Sequence, residues 1–319
     1  MQLECLRDLN VKITPKALLK DFTTFRLGGP CSALVECANA GTALETIKRL
    51  RMCKLDFLLM GFGSNILASD HGVQRIIVRY SSLEPIVKRD AGRLTADAAT
   101  QFDDLVLFAI QQGLGNMTQF SGIPGTLGGA IAGNAGAYGR QVSDHLVELT
   151  LLTPDDQVFT IPRSGLRFEY RDSDLKHNGS IILSAVFDLP QGDQEAMLKE
   201  RTEILATRKK KHGTWQDNPS AGSFFRNVEP SSKAGQRQAA GWFLEEAGAK
   251  AIRVGKAHPY QNHANIVTRD EGATAQEVYE LTRRMAAAVK EKFGLELVRE
   301  VRLLGDFDQA PEQTGNGYW

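Results

Sequence analysis

Residues 122–139 read GIPGTLGGAIAGNAGAYG, and the argument about this chain's architecture works outward from them. Seven of these eighteen residues are glycine. Glycine accepts positive φ and lets a backbone come close to a ligand. Successive backbone N–H groups in such turns form concave anion sites, which suit a diphosphate without needing cationic side chains. Asn134 and Tyr138 add a polar group and an aromatic ring to the same stretch. A Gly/Ala-rich run also serves where two elements pack closely, and composition alone leaves both readings open.

A second glycine loop lies upstream. Gly61-Phe62-Gly63-Ser64-Asn65 directly follows the strand-like FLLM at 57–60. It has GxG but no third glycine, and no amphipathic helix follows it. A Rossmann fingerprint needs that helix, because its N-terminus holds the pyrophosphate. Alone, the loop reads as a strand-turn. Together with 122–139 it favours a dinucleotide binder whose fold is not Rossmann.

Hydrophobic periodicity around the loops gives a mixed pattern. Leu44, Ile47 and Leu50 define a helix, and 76–78 (IIV) a strand. Between about 85 and 200, a helix over 103–112 stopped by Gly113 lies among strands at 147–153 and 181–187. A charged helix over 194–211 reads as a connector. Beyond it, helices are expected over 236–247 and over 275–293, the latter with Val278, Leu281, Met285, Val289 and Phe293 on one face. The expected fold class is α+β. It comprises a unit over 1–200, in subdomains of about 1–82 and 83–200, then a unit over 201–305. Residues 306–319 are polar and read as a loose tail.

Charge narrows the partners. Lys plus Arg and Asp plus Glu are 38 each, so no whole-molecule field recruits nucleic acid or an anionic membrane. No apolar run reaches the roughly 20 residues of a membrane helix. Met1-Gln2-Leu3-Glu4 lacks the order of a signal peptide. Cys5, Cys31, Cys37 and Cys53 form no CxxC pair and have no histidine at metal spacing. The expectation is a cytoplasmic protein with small-molecule partners, no metal and a monomeric state.

The order FTTFRLGG (22–29), GFGSN (61–65), the 122–139 stretch, FEYRDS (168–173), PSAGSFFRN (219–227) and REVRLLG (299–305) resembles the UDP-N-acetylenolpyruvoylglucosamine reductase family. The resemblance runs from about residue 20 to 305. It implies an FAD-binding fold of the vanillyl-alcohol oxidase/p-cresol methylhydroxylase type, with two subdomains around FAD and a third unit for substrate. The short span between Tyr170 and Ser223 is similar to the family's second type, which lacks an inserted substrate-covering loop. The implied reaction is NADPH-dependent reduction of UDP-N-acetylglucosamine enolpyruvate to UDP-N-acetylmuramate, in peptidoglycan precursor synthesis. The implied FAD contacts are Gly61, Gly63, Ser64 and Asn65 in the first loop. In the second they are Gly122, Ile123, Pro124, Gly125, Gly128, Gly129, Asn134, Gly136, Ala137 and Tyr138.

That reaction needs a fixed cation where charge builds on the substrate carboxylate, and a proton donor at the neighbouring carbon. By resemblance Arg171 is the cation, Ser223 the donor and Glu300 the third catalytic group. Read without it, Arg171 is a surface ion pair with Asp172 or Asp174, Ser223 a turn serine, and Glu300 a solvent-facing strand residue. Leu295, Leu297, Val301 and Leu303 alternate around Glu300 and set it on the opposite side of an expected strand. Lys211 ends the run RKKK, which by itself is a solvated helix end; the resemblance puts it on the UDP diphosphate. Tyr170, Asn227, His263 and Asn265 are further substrate-site candidates on the same ground. Gly128-Gly129 is followed by Ala130 rather than histidine, so FAD is expected to be non-covalent. The rival readings are an O₂-using oxidase of the same fold and a non-catalytic nucleotide-sugar binder.

Overall fold

A computed structural model describes residues 3–229 and 237–308. The first sheet combines β1 (Lys12–Pro15), β2 (Cys31–Cys37), β3 (Phe57–Met60) and, beyond the short β4 (Ile66–Ala68), β5 (Val73–Tyr80). Its order is β1-β2-β5-β3, antiparallel at β1 and parallel elsewhere. Parallel neighbours need a crossover, supplied by α1 (Ala40–Met52). Asn39 and Thr42 form a capping box that starts α1, and Ile47 and Leu50 are fully buried beneath it.

The second sheet is antiparallel throughout. It contains β6 (Val87–Asp90) and β7 (Arg93–Asp97), and is crossed by α2 (Phe102–Gln111) and α3 (Leu127–Ala132). Two short strands, β8 (Gly136–Ala137) and β9 (Arg140–Gln141), pair with each other before β10 (Leu146–Leu152) and β11 (Val158–Pro162). A small hairpin, β12 (Phe168–Glu169) and β13 (Asp172–Ser173), precedes β14 (Ile181–Asp188). The sheet order is β11-β10-β14-β7-β6. One hydrophobic core joins the two sheets, with Val35, Leu59 and Val78 packed in the same cluster as Phe102, Ile131, Leu149 and Phe187. The other face of the first sheet holds a smaller core of Leu19, Leu34, Met60, Ala68 and Ile77.

The long helix α4 (Gln194–His212) packs on α2, where Arg201 grips Asp103 with two bonds of 2.6 and 2.7 Å. The remaining elements are α5 (Ala240–Glu246), β15 (Ala257–Tyr260), β16 (His263–Arg269), α6 (Ala275–Phe293) and β17 (Arg302–Leu304). They surround a core of Phe224, Phe243, Val278, Leu281 and Met285, which also takes in Phe25 and Leu67 from the N-terminal part of the chain. β17 returns to pair in parallel with β4. Among the described residues no helix is long and apolar enough to cross a membrane.

Four expectations need correction. The helix expected over 236–247 covers only Ala240–Glu246. Gln238 instead exchanges two backbone hydrogen bonds with Val228, and residue 236 lies outside the described residues. The stretch 122–139 is not all loop, since α3 lies inside it. The strand expected around Glu300 is confined to Arg302–Leu304, because Glu300 itself pairs through its N–H with Phe224. The tail does not begin at 306. Phe307 is buried with its ring 5.2 Å from Tyr279, and Asp308 donates its N–H to Gln276; residues 309–319 lie outside the described residues.

Candidate active site

The two glycine loops lie against each other. Ser64 Oγ donates to Pro124 O at 2.9 Å, and a Cβ on Gly61 would come within 2.4 Å of Thr126 Oγ1. Thr126 caps α3. Gly129, in the first turn of that helix, is exposed, and a Cβ there would meet only Thr126 Oγ1, at 3.5 Å. The protein thus leaves space over Gly129 that a cofactor diphosphate can fill. Asn134 makes the same point from inside. Its Nδ2 donates to Glu169 O at 2.8 Å and to Gln141, while its buried Oδ1 has no partner among the described residues. A buried acceptor without a partner is costly and marks a place for a ligand donor. The residues present therefore fit FAD.

Other members of the glycine stretch serve the backbone. A Cβ on Gly122 would meet Leu205 of α4 at 2.7 Å, and one on Gly136 would meet Arg140 O at 2.7 Å. These two glycines, expected as cofactor contacts, are fixed by packing. Ile123 packs on the main core, whereas Pro124 and Tyr138 are exposed.

The β12–β13 pairing of Glu169 with Asp172 leaves Tyr170 and Arg171 as a two-residue turn, with Arg171 at φ 57°. That region is uncommon for a non-glycine residue. Ser173 Oγ ties the hairpin to α3 through Ala132 O at 2.7 Å. The Arg171 guanidinium donates to Gly136 O at 2.9 Å, and its Nε lies 3.1 Å from Glu300 Oε1, an ion pair without hydrogen-bond alignment. The surface pair with Asp172 or Asp174 is not formed. Asp172 is taken by His177 and Lys176, and Asp174 by Arg167.

Ser223 follows Gly222, whose φ is 74°. It forms an isolated bridge with Ile266 of β16, and Phe225 forms one with Arg299. Segment 223–225 is thus held between β16 and the segment leading into β17. Ser223 is half-buried, and its hydroxyl makes no hydrogen bond among the described residues. Glu300 donates its N–H to Phe224 O at 2.9 Å, and Asn65 Nδ2 donates to Glu300 O at 3.2 Å. Asn65, Arg171, the Ser223 segment and Glu300, far apart in sequence, therefore meet. Burial pushes the Glu300 carboxyl above its ordinary range, opposed by Arg171, Lys176 and Arg226.

The other substrate candidates divide. Asn265 is buried, with Nδ2 donating to Phe225 O at 2.8 Å and Oδ1 accepting from Phe225 N at 2.9 Å. Both its polar ends are spent on the backbone, so it holds the Ser223 segment rather than contacting substrate. Asn227 Oδ1 accepts from Ala240 N at the start of α5. The Tyr170 hydroxyl accepts from Asn227 N at 3.3 Å, and Arg237 lies over its ring at 4.2 Å. Lys211 is exposed at the end of α4, where Gly213 closes the helix at φ 70°. His212 and His263 meet edge to face at 5.2 Å. Burial, with Arg208 next, pushes His212 down to about 4, and burial lowers His263 as well, so both rings are neutral at pH 7.

Sequence reasoning missed Lys176 and Arg226, the cations that with Arg171 act on Glu300, and Arg302, which acts on Lys176. Arg226 lies within PSAGSFFRN. No spacing or motif marked Lys176.

Residues 31–161 match the FAD binding domain family, and residues 214–304 match the UDP-N-acetylenolpyruvoylglucosamine reductase C-terminal domain. The chain is 32% identical over 288 residues to the UDP-N-acetylenolpyruvoylglucosamine reductase of Caldanaerobacter subterraneus subsp. tengcongensis, covering 90% of this chain and 92% of that one. It is 36% identical over 284 residues to the enzyme of that name from Pelobacter propionicus, covering 89% and 92%. The crystal structure of UDP-N-acetylenolpyruvylglucosamine reductase from Thermus caldophilus superposes with a TM-score of 0.74 at 29% identity, over 93% of this chain and 99% of that one. 6-Hydroxy-D-nicotine oxidase from Arthrobacter nicotinovorans, at 13% identity and a TM-score of 0.57, shares the fold alone. The α+β architecture is therefore the two-subdomain FAD-binding fold of the vanillyl-alcohol oxidase/p-cresol methylhydroxylase type followed by a C-terminal unit, and with identity above 30% along nine-tenths of its length the chain belongs to the UDP-N-acetylenolpyruvoylglucosamine reductase family.

Proposed function

We propose that this chain reduces UDP-N-acetylglucosamine enolpyruvate to UDP-N-acetylmuramate, a step of peptidoglycan precursor synthesis, with electrons from NADPH passing through non-covalent FAD. The carrying observation is that the Arg171–Glu300 pair and the backbone segment carrying Ser223 come together beside both glycine loops. When bound, FAD supplies a hydride to the terminal carbon of the enolpyruvyl double bond. Arg171 keeps a permanent charge where the carboxylate oxygens become more negative, and its planar fork matches a carboxylate. Glu300, already pushed toward its neutral form by burial, can donate a hydrogen bond to that carboxylate once protonated. Ser223 gives its proton to the carbon bearing the carboxylate. A hydroxyl is a weak acid, adequate only against so basic an acceptor. Phe224 and Phe225, both buried, close the pocket behind it.

Lys211 at the α4 terminus, with the neutral His263 near it, marks the direction in which the UDP diphosphate lies. Asn265 acts through the Ser223 segment. The units over about 1–200 and 201–305 carry cofactor and substrate respectively, in a cytoplasmic monomer. Ala130, after Gly128-Gly129, offers no tether for FAD.

A spectroscopic titration tests the reading. The purified protein should be yellow, should bleach anaerobically with NADPH, and should regain its colour on addition of the enolpyruvyl UDP-sugar. Recovery with O₂ but none with the sugar would replace this reading with that of an oxidase.

A further inference from the structure

Lys176 is the one cation around Glu300 whose charge is closely tied to the Arg171 backbone. It ends the single turn that follows β13, and its Nζ reaches back to donate to Arg171 O at 2.5 Å. Arg171 is the residue held at φ 57°. A left-handed conformation at a branched, non-glycine position persists only when its surroundings fix it. Three contacts converge there: Lys176 on the carbonyl, Gly136 O on the guanidinium, and Glu300 beside Nε. The Lys176 side chain is only 21% exposed, too buried for an ordinary solvated lysine.

We propose that Lys176 is a positioning residue of the reductase reaction, clamping the Arg171 carbonyl so that its guanidinium faces the substrate carboxylate, and adding a second positive charge beside Glu300. The inference rests on the functional reading above, since it presumes an anionic substrate at Arg171. Its neighbours are Asp172 on β13 at 4.0 Å, Arg226 after the Ser223 segment, Glu300 ahead of β17 and Arg302 on it; a Cβ on Gly133, just past α3, would lie 4.0 Å from its Cε. The cations oppose its charge and the two carboxylates favour it. Burial is the larger influence, and the ammonium titrates at about 8. A lysine lowered in this way is charged below that pH and neutral above it. A neutral amine can still donate to the Arg171 carbonyl, so a pH step reports the charge and not merely the clamp.

The experiment follows both half-reactions by stopped-flow absorbance between pH 6 and 10 in the FAD-loaded wild type, Lys176→Met and Lys176→Arg. In the wild type, re-oxidation by the enolpyruvyl UDP-sugar should fall as pH rises through about 8, while bleaching by NADPH should not show that step. Lys176→Met should re-oxidise roughly 10- to 100-fold more slowly at pH 7, less than the loss of about 10²–10³-fold for a donor that touches the developing charge, because Lys176 acts through Arg171, and should lack the step. Lys176→Arg should retain most of the rate and carry it above pH 9. An unchanged rate and profile in Lys176→Met overturns the proposal, as does equal slowing of both half-reactions. Should Lys176→Met fail to hold FAD, superimposable profiles of the wild type and Lys176→Arg overturn it equally. A wild type that the sugar cannot re-oxidise at any pH would sink the functional reading instead.

Discussion

Arg171 and Ser223 illustrate how little a side chain's identity says without its backbone. Arg171 reaches Glu300 because the turn between β12 and β13 holds it at positive φ, so the pair joins residues 129 positions apart, 171 and 300. Ser223 is placed by two backbone bridges and by Asn265, which brackets Phe225 two positions along. Its own hydroxyl makes no hydrogen bond among the described residues. Flavin reduction by NADPH needs no proton from Ser223, whereas finishing substrate reduction does. Ser223→Ala should therefore bleach at the wild-type rate and lose re-oxidation by about 10²–10⁴-fold, the span of an ordinary positioned general acid. Ser223→Cys should recover part of it, since a thiol is the stronger acid. Equal slowing of both steps would assign Ser223 to the shape of the flavin site.

At the scale of elements, the stretch 122–139 divides into positions crowded by protein and positions with room for a side chain. A Cβ on Gly122 or Gly136 would crowd Leu205 or Arg140 at 2.7 Å, whereas one on Gly129 would meet only Thr126 Oγ1, at 3.5 Å. Gly129→Val should consequently fold normally and purify without flavin, because its Cβ meets protein only at ordinary van der Waals distance from Thr126 Oγ1 and would fill the space expected for the cofactor. Far-UV circular dichroism together with the absorbance ratio at the flavin and protein bands checks this. A yellow, fully loaded variant would take α3 out of the cofactor site. Gly63 supplies the contrast: at φ 79°, a Cβ would fall 2.2 Å from Phe22 O. Substitution there strains the fold itself.

Across the whole molecule, the N-terminal sheet and the C-terminal elements are tied by contacts between residues remote in sequence. β4 pairs with β17, and Thr24 Oγ1 donates to Ser220 O at 2.7 Å. Asp70, just past β4, accepts the N–H groups of Ala275 and Gln276 at the start of α6, at 2.6 and 3.4 Å. A carboxylate there satisfies donors that the helix cannot, and it complements the helix dipole. Thr274 and Glu277 already form a capping box, so the loss should be partial. Asp70→Ala should cost about 1 kcal/mol, the usual worth of a cap, in urea unfolding of the FAD-bound protein. An unchanged midpoint would mean that Asp70 contributes nothing to joining the two parts.

The sequence by itself determined the elements governed by local rules. α6 has the expected bounds, 275–293, because its apolar stripe, capping box and terminal Gly294 are all local signals. α1 follows its periodicity in the same way, α2 its stop at Gly113, and α4 its charged composition. The short α5 did not, since the pairing of Gln238 with Val228 depends on a neighbour ten residues away. The absence of a helix after GFGSN was also legible, and it excluded a Rossmann site. Family motifs named Arg171, Ser223 and Glu300, but residue order could not say that Arg171 and Glu300 touch. Only the tertiary structure decided which glycines are crowded by protein, that Asn265 spends both its polar ends on Phe225, and that Lys176 donates to the Arg171 carbonyl. The physical reason is common to all three. Each depends on hydrogen bonds, charge or free space arising from parts of the structure that no local period or spacing encodes.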